Sequence, residues 1–282
     1  MRYAEYQNAR DIAWRVLIEQ KIMHLPVNVS SLCLRYESYP LTYDRAEQIL
    51  KRYGLARNCK GNDGFALRMK ERIFIFYNNR CPAGRIRFTL AHELGHVLLG
   101  HVQERFPAAR DEAAEQQANI FASRLLAPAC VLRALEVETP EALMTLCGLS
   151  RKAAEVRLER MRILRAREAC GVPYRQHELE RQVLRQFTPF IQWAREREPH
   201  QSFAQFQIVR EGCVVGTTLG MVSSVYTDIV ALPPDVELAP GDRLRPMILI
   251  DCVPENDSVW AKMRPMLFRC KKALWGAALI EE

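Results

Sequence analysis

The run Phe88-Thr89-Leu90-Ala91-His92-Glu93-Leu94-Gly95-His96-Val97-Leu98-Leu99 constrains this chain more than any other stretch. It holds His-Glu-x-x-His inside an apolar segment. On an α-helix, residues four apart stand one turn above each other on one face. His92 and His96 therefore aim two imidazoles at one point. Glu93 projects from the neighbouring strip, within reach of a water at that point. Paired His on a helix are often plain surface residues. Here Leu90, Ala91, Leu94, Val97, Leu98 and Leu99 describe a buried helix, and burying two His and a Glu without partners is costly. Two imidazoles with an adjacent carboxylate are what a catalytic zinc takes from a helix, the imidazoles as ligands and the carboxylate as base.

A catalytic zinc keeps three protein ligands and one open position. A second helix, from about Arg110 to Leu126 and ending before Pro128, offers Asp111, Glu112 and Glu115. Ala118, Phe121, Ala122 and Leu125 mark its buried face, and Glu115 lies on that face one turn before Ala118 and Asn119. Glu115 is the preferred third ligand, and Asn119 can orient a ligand histidine. Glu112 competes for the role, against the alternative of a solvated acid in the first turn of a helix. His101 does not complete a metzincin pattern, which wants glycine three residues and histidine six residues after the second His. Leu99 and Val102 stand there, so His101 is expected near the rim of the site or on the surface.

Around this pair the chain reads as follows. Residues 4–23 carry Ile12, Ala13, Val16, Leu17 and Ile22 at helical spacing. Pro26-Val27-Asn28-Val29 extends the chain, and Ser30 or Ser31 caps a short helix through Tyr36. A third helix is expected from Tyr43 to Tyr53, stopped by Gly54. Asn62-Asp63-Gly64 is a turn signal, and Phe65–Met69 with Arg72–Tyr77 reads as a hairpin. The second of these strands is either an ordinary core strand or one whose free edge takes an extended peptide by strand addition. Gly84 opens a linker into the His-Glu helix, and the chain later loops through Phe106-Pro107.

The chain has 282 residues, 49% hydrophobic and 26% charged, the balance of a soluble globular protein of two domains or one with an appendage. No apolar run is long enough to span a membrane, and no signal-peptide core opens the chain. Nine scattered Cys never form Cys-x-x-Cys, which points to reduced thiols in the cytoplasm rather than disulfides. The net charge of +7 comes mostly from Arg and is compatible with nucleic-acid contact without requiring it.

Phe88-Thr-Leu-Ala-His-Glu-Leu-Gly-His, followed by Glu115-x-x-x-Asn119-x-Phe121-Ala122-x-x-Leu125-Leu126-x-Pro128, resembles the ImmA/IrrE family of bacterial metallopeptidases. The strand ending in Asn, Pro-Val at 26–27, and Gly148-Leu149-Ser150-x-x-Ala153-Ala154-x-x-Arg157-Leu158 fit as well. The resemblance covers roughly residues 1–165. It implies a gluzincin-like site with His92, His96 and Glu115 on Zn2+ and Glu93 as base. It also implies a regulatory peptidase that cleaves a DNA-bound repressor. The chain departs from it at Gln117, where many members carry a second acid.

The expected fold class is α+β, divided in three. Residues 1–130 form a mostly helical metallopeptidase domain with a small β-sheet, 131–170 a helix-turn-helix-like subdomain, and 171–282 a C-terminal α+β domain of unknown role. In the middle part Gly148 turns the chain and Ser150 caps the second helix. Arg151, Lys152, Arg157, Arg160, Arg162, Arg165 and Arg167 make that helix basic. A DNA-reading role is weighed there against a subdomain packed on the catalytic part, which is preferred. From His177 to Glu198 the chain is helical, interrupted at Pro189. Strands follow at 203–210, 213–218, 224–232, 244–253 and 266–272. Cys252 and Cys270 are expected as buried thiols, and His177 and His200 lack partners at useful spacing. The function expected is a cytoplasmic zinc endopeptidase acting on a repressor, with no membrane partner. Its rival is a non-proteolytic regulator that binds DNA or a repressor and keeps a structural or vestigial zinc.

Overall fold

The first helix, α1 (Tyr3–Glu19), buries Ala9, Ala13, Val16 and Leu17, three- and four-residue steps that line one face. The computed structural model describes residues 3–103, 111–172, 176–197, 201–223, 230–247, 269–271 and 277–279. After α1 the chain enters α2 (Val29–Arg35), whose N-cap is Asn28 rather than Ser30 or Ser31; its side chain accepts the Ser31 N–H at 3.1 Å.

A strand the sequence did not announce comes next, β1 (Ser38–Thr42). Pro40 hid it, because proline donates no ladder hydrogen bond and is confined to sheet edges. β1 is indeed an edge. It runs parallel to β3 (Arg72–Tyr77), which pairs on its other side with antiparallel β2 (Gly64–Met69), in the order β1-β3-β2. β3 is therefore central and has no free edge, so strand addition to it is excluded. The edge that faces outward beside the His-Glu helix is that of β2. The sheet is a wall between two apolar clusters. Ile75 joins the main core, while Phe76 packs with Phe65, Leu67 and Leu50 on the opposite side. Leu50 comes from α3 (Glu47–Arg52), shorter than expected because residues 43–46 form turns.

Helix α4 (Ala83–Leu98) carries the His-Glu motif and takes Gly84 into its first turn, where a linker was expected. Helix α5 (Glu112–Leu126) packs on both α4 and α1. Pro128 stops α5 but starts another helix, α6 (Ala129–Ala134), by standing at its N-cap. Then come α7 (Pro140–Cys147) and α8 (Arg151–Ala169), joined at left-handed Gly148, with Thr139 and Ser150 as side-chain N-caps. Helices α9 (Glu178–Gln186) and α10 (Thr188–Arg195) break at Phe187, with Pro189 in the first turn of α10.

The later part is a sheet of order β6-β5-β4-β7, formed by β4 (Gln201–Arg210), β5 (Cys213–Ser223), β6 (Val230–Ala231) and β7 (Arg243–Pro246). A short pair, β8 (Arg269–Lys271) and β9 (Ala277–Leu279), follows. The segments 224–229, 248–253, 266–268 and 272 of the expected strands lie outside the described residues, as do Arg110, Phe106-Pro107, Glu198, His200, Cys252 and the side chain of Cys270. The fold is thus α+β. One cluster of buried residues runs from Ala13 of α1 through Ala194 of α10 to Leu219 and Met221 of β5. Among the described residues no helix is long and apolar enough to cross a membrane.

Candidate metal centre

The site begins with how closely α4 and α5 approach. Gly95 is buried, and a Cβ built on it would lie 2.9 Å from Phe121 Cδ1 and 3.3 Å from the Ala118 Cα. Only a hydrogen fits between the helices there. This contact brings the first turn of α5 beside His92 and His96, one turn apart on α4.

Three side chains then converge. The Nε2 atoms of His92 and His96 are 3.0 Å apart. Glu115 Oε2 lies 3.4 Å from His92 Nε2, and its Oε1 lies 3.5 Å from His96 Nε2. The ligand atoms of all three residues fall within 4.8 Å of one another, and among the described residues no other trio of His, Cys, Asp or Glu does so. Four ligands at about 2.0–2.1 Å around a tetrahedral ion stand about 3.3 Å apart, so this spacing suits a metal.

The neighbouring acids part company. Asp111 is the N-cap of α5, its carboxylate accepting the Ala113 N–H at 2.9 Å. Glu112 is exposed and outside the trio.

The other sequence-singled residues surround the trio. Glu93 is 8% exposed, and its Oε2 accepts the Ala66 N–H from the edge of β2 at 2.9 Å. Asn119, one turn after Glu115, has Oδ1 3.0 Å from His92 Nδ1, so the ring donates from Nδ1 and keeps its Nε2 lone pair for the trio. Burial alone would lower the His92 pKa, but the hydrogen bond and charge of Glu115, the charge of Glu93 and the bond to Asn119 outweigh it and hold it raised. His101 is outside the trio, yet it is no bystander on the surface: its Nδ1 is 3.1 Å from His96 Nδ1.

The trio opens into a cleft of about 320 Å³. It is lined by Gly61–Ala66, by Phe88, Thr89 and the motif residues of α4, by His101–Gln103, and by Glu115 and Asn119 of α5. On the β2 edge the Ala66 N–H is taken by Glu93, and the Arg68 N–H by the Gln103 carbonyl at 3.1 Å.

The basic helix α8 resolves differently from its sequence. Arg157 is 3% exposed and donates from Nε (2.9 Å) and Nη2 to the Ala127 carbonyl at the end of α5. Arg151, Arg162 and Arg165 pair with Glu141, Glu159 and Glu138. Arg157 is therefore a strut between helices rather than an outward charge. His177 caps α9 by accepting the Leu179 N–H, and its ring lies tilted against Trp14.

Residues 56–159 match the family model described as the IrrE N-terminal-like domain, peptidase M78. The match contains β2, β3, α4 and α5, hence all three members of the trio and Glu93. No curated protein matches the chain.

Proposed function

We propose, from the match of residues 56–159 to the IrrE N-terminal-like domain, that this chain is a zinc-dependent endopeptidase of the ImmA/IrrE type. His92, His96 and Glu115 hold the metal, and Glu93 is the general base. The observation that carries this reading is the trio itself: two imidazoles and one carboxylate at tetrahedral spacing, open to a cleft, with a second carboxylate beside them. That donor set is the one catalytic zinc takes, with a carboxylate beside it to serve as base.

A zinc ion bound there supplies Lewis acidity to a scissile carbonyl and acidifies water in the cleft, to a pKa of about 7. The protein does the rest. Glu93 takes a proton from the attacking water and passes it to the leaving amine nitrogen as the C–N bond breaks. The Ala66 N–H holds that carboxylate on the cleft side of α4. Asn119 keeps His92 in the tautomer that leaves Nε2 free for the metal.

The substrate is a regulatory protein, such as a helix-turn-helix repressor, a choice that rests on the family resemblance. The enzyme works in the cytoplasm; in support, none of the seven cysteines with described side chains forms a disulfide. Residues 131–170 serve as a helical subdomain and 171–282 as a C-terminal α+β domain.

The test is metal analysis of the purified protein, with cleavage of a helix-turn-helix repressor encoded beside it. One zinc per chain is expected, and Glu93→Gln keeps the zinc while losing cleavage. Absence of stoichiometric zinc, or cleavage unchanged in the variant, refutes the reading.

A further inference from the structure

Helix α4 ends in a turn of a defined kind. Leu99 is its last, half-helical residue, and Gly100 follows in the left-handed conformation at φ 77°. The Gly100 N–H bonds to the Val97 carbonyl at 3.1 Å, and the His101 N–H to the His96 carbonyl at 2.9 Å. These two bonds define a Schellman turn. Such a turn sets the second residue beyond the helix end against the third residue before it, usually through an apolar contact. Here those residues are His101 and His96. Their rings meet edge to face at 66°, with centroids 5.2 Å apart and Nδ1 atoms 3.1 Å apart.

We propose that His101 is a positioning residue of the metal centre, accepting the His96 Nδ1–H through its own Nδ1. The proposal rests on the reading of His96 as a metal ligand. A ligand imidazole that binds through Nε2 must carry its proton on Nδ1, and that proton needs an acceptor to fix the ring. His92 has Asn119 for this purpose. His96 has His101, delivered by the backbone of the helix stop rather than by a neighbouring element.

The experiment titrates Zn2+ into the metal-stripped full chain against a chromophoric chelator, for the wild type and two variants. His101→Phe keeps a flat ring but offers no acceptor. His101→Asn sets an amide oxygen near the former Nδ1. The Phe variant is expected to bind zinc about 10- to 100-fold more weakly, and the Asn variant to recover most of that loss. Melting of the three metal-free proteins should coincide. The visible spectrum of bound Co2+ should be altered in the Phe variant alone. If the Phe variant does not fold, His101→Gln, whose amide reaches the Nε2 position instead, takes its place with the same expected loss. Wild-type affinity in the Phe or Gln variant overturns the positioning role. So does an Asn variant as weak as Phe. If the wild type takes up no zinc, the metal-centre reading falls and this proposal falls with it.

Discussion

The carboxylate of Glu93 accepts the backbone N–H of Ala66 at 2.9 Å, tying the middle of α4 to the edge of β2. A side chain proposed to move protons is thereby also a clasp between sheet and helix. Glutamine at this position keeps an acceptor oxygen for Ala66; alanine does not. Glu93→Ala should therefore cost stability, about 1–3 kcal/mol for a buried donor left unpaired, whereas Glu93→Gln should unfold near the wild-type urea midpoint. Equal midpoints for the two variants would show that the Ala66 bond contributes nothing.

Gly95 sets the distance between the ligand-bearing helices. In Gly95→Ala the new methyl meets the Phe121 ring and the Ala118 backbone inside normal contact distance. Overpacking of this kind typically costs about 1–3 kcal/mol. Because α5 carries Glu115, the strain should also weaken zinc binding. Thermal melting and a zinc competition titration measure the two effects. A variant that melts lower yet binds zinc as tightly would mean that Glu115 does not depend on this contact.

Arg157 and Arg160 are close in sequence but should behave as different kinds of residue. Removing the Arg157 guanidinium in Arg157→Met leaves the Ala127 carbonyl without its donor, an expected loss of about 1–3 kcal/mol. Arg160 is exposed, and Arg160→Glu should fall within about 0.5 kcal/mol of the wild type. Denaturant midpoints decide. Similar, small changes at both positions would contradict the strut role of Arg157.

Asp242 links stability to acid. Arg210 grips its two oxygens at 2.7 and 2.9 Å, and the Ala239 N–H adds a bond at 2.9 Å. The Arg210 hydrogen bond, followed by the Ala239 N–H, holds the Asp242 pKa below its ordinary value even though burial opposes the shift. A depressed folded-state pKa gives stability that is present above the unfolded value, about 3.9, and lost as pH falls through the folded one. Asp242→Asn should thus be less stable than the wild type at pH 7, and the gap should shrink below about pH 4. A gap of the same size at pH 7 and pH 3, read from urea midpoints, would contradict this.

The legible parts of the sequence were those where periodicity and chemistry agree. The apolar flanks of His92 and His96 marked α4, and the Ala118, Phe121, Ala122, Leu125 face marked α5. Gly148 and Ser150 announced the turn into α8. Other features were opaque for identifiable reasons. Pro40 disguised β1, because an edge strand tolerates a residue that a central strand excludes. Pro128 reads as a stop, and a residue that ends one helix can start the next. Arg157 reads as solvated, because nothing local reveals that Ala127, thirty residues earlier, waits for it. A ligand pattern alone leaves His101 outside the site. The signal that would have found its contact is Gly100, a helix stop that seats the next residue over the third from the helix end.

The arrangement β1-β3-β2 also bears on how this protein can be taken apart. The family-matched stretch starts at residue 56, after α1, α2 and β1. A fragment cut there keeps every proposed ligand but strips β3 of the strand that covers one of its edges, and α5 of the α1 face it packs on. It would present a bare strand of sequence Arg-Ile-Phe-Ile-Phe-Tyr, the kind of edge that recruits other chains and aggregates. The unit of chemistry and the unit of folding therefore have different borders, and the first fifty-five residues belong to the second.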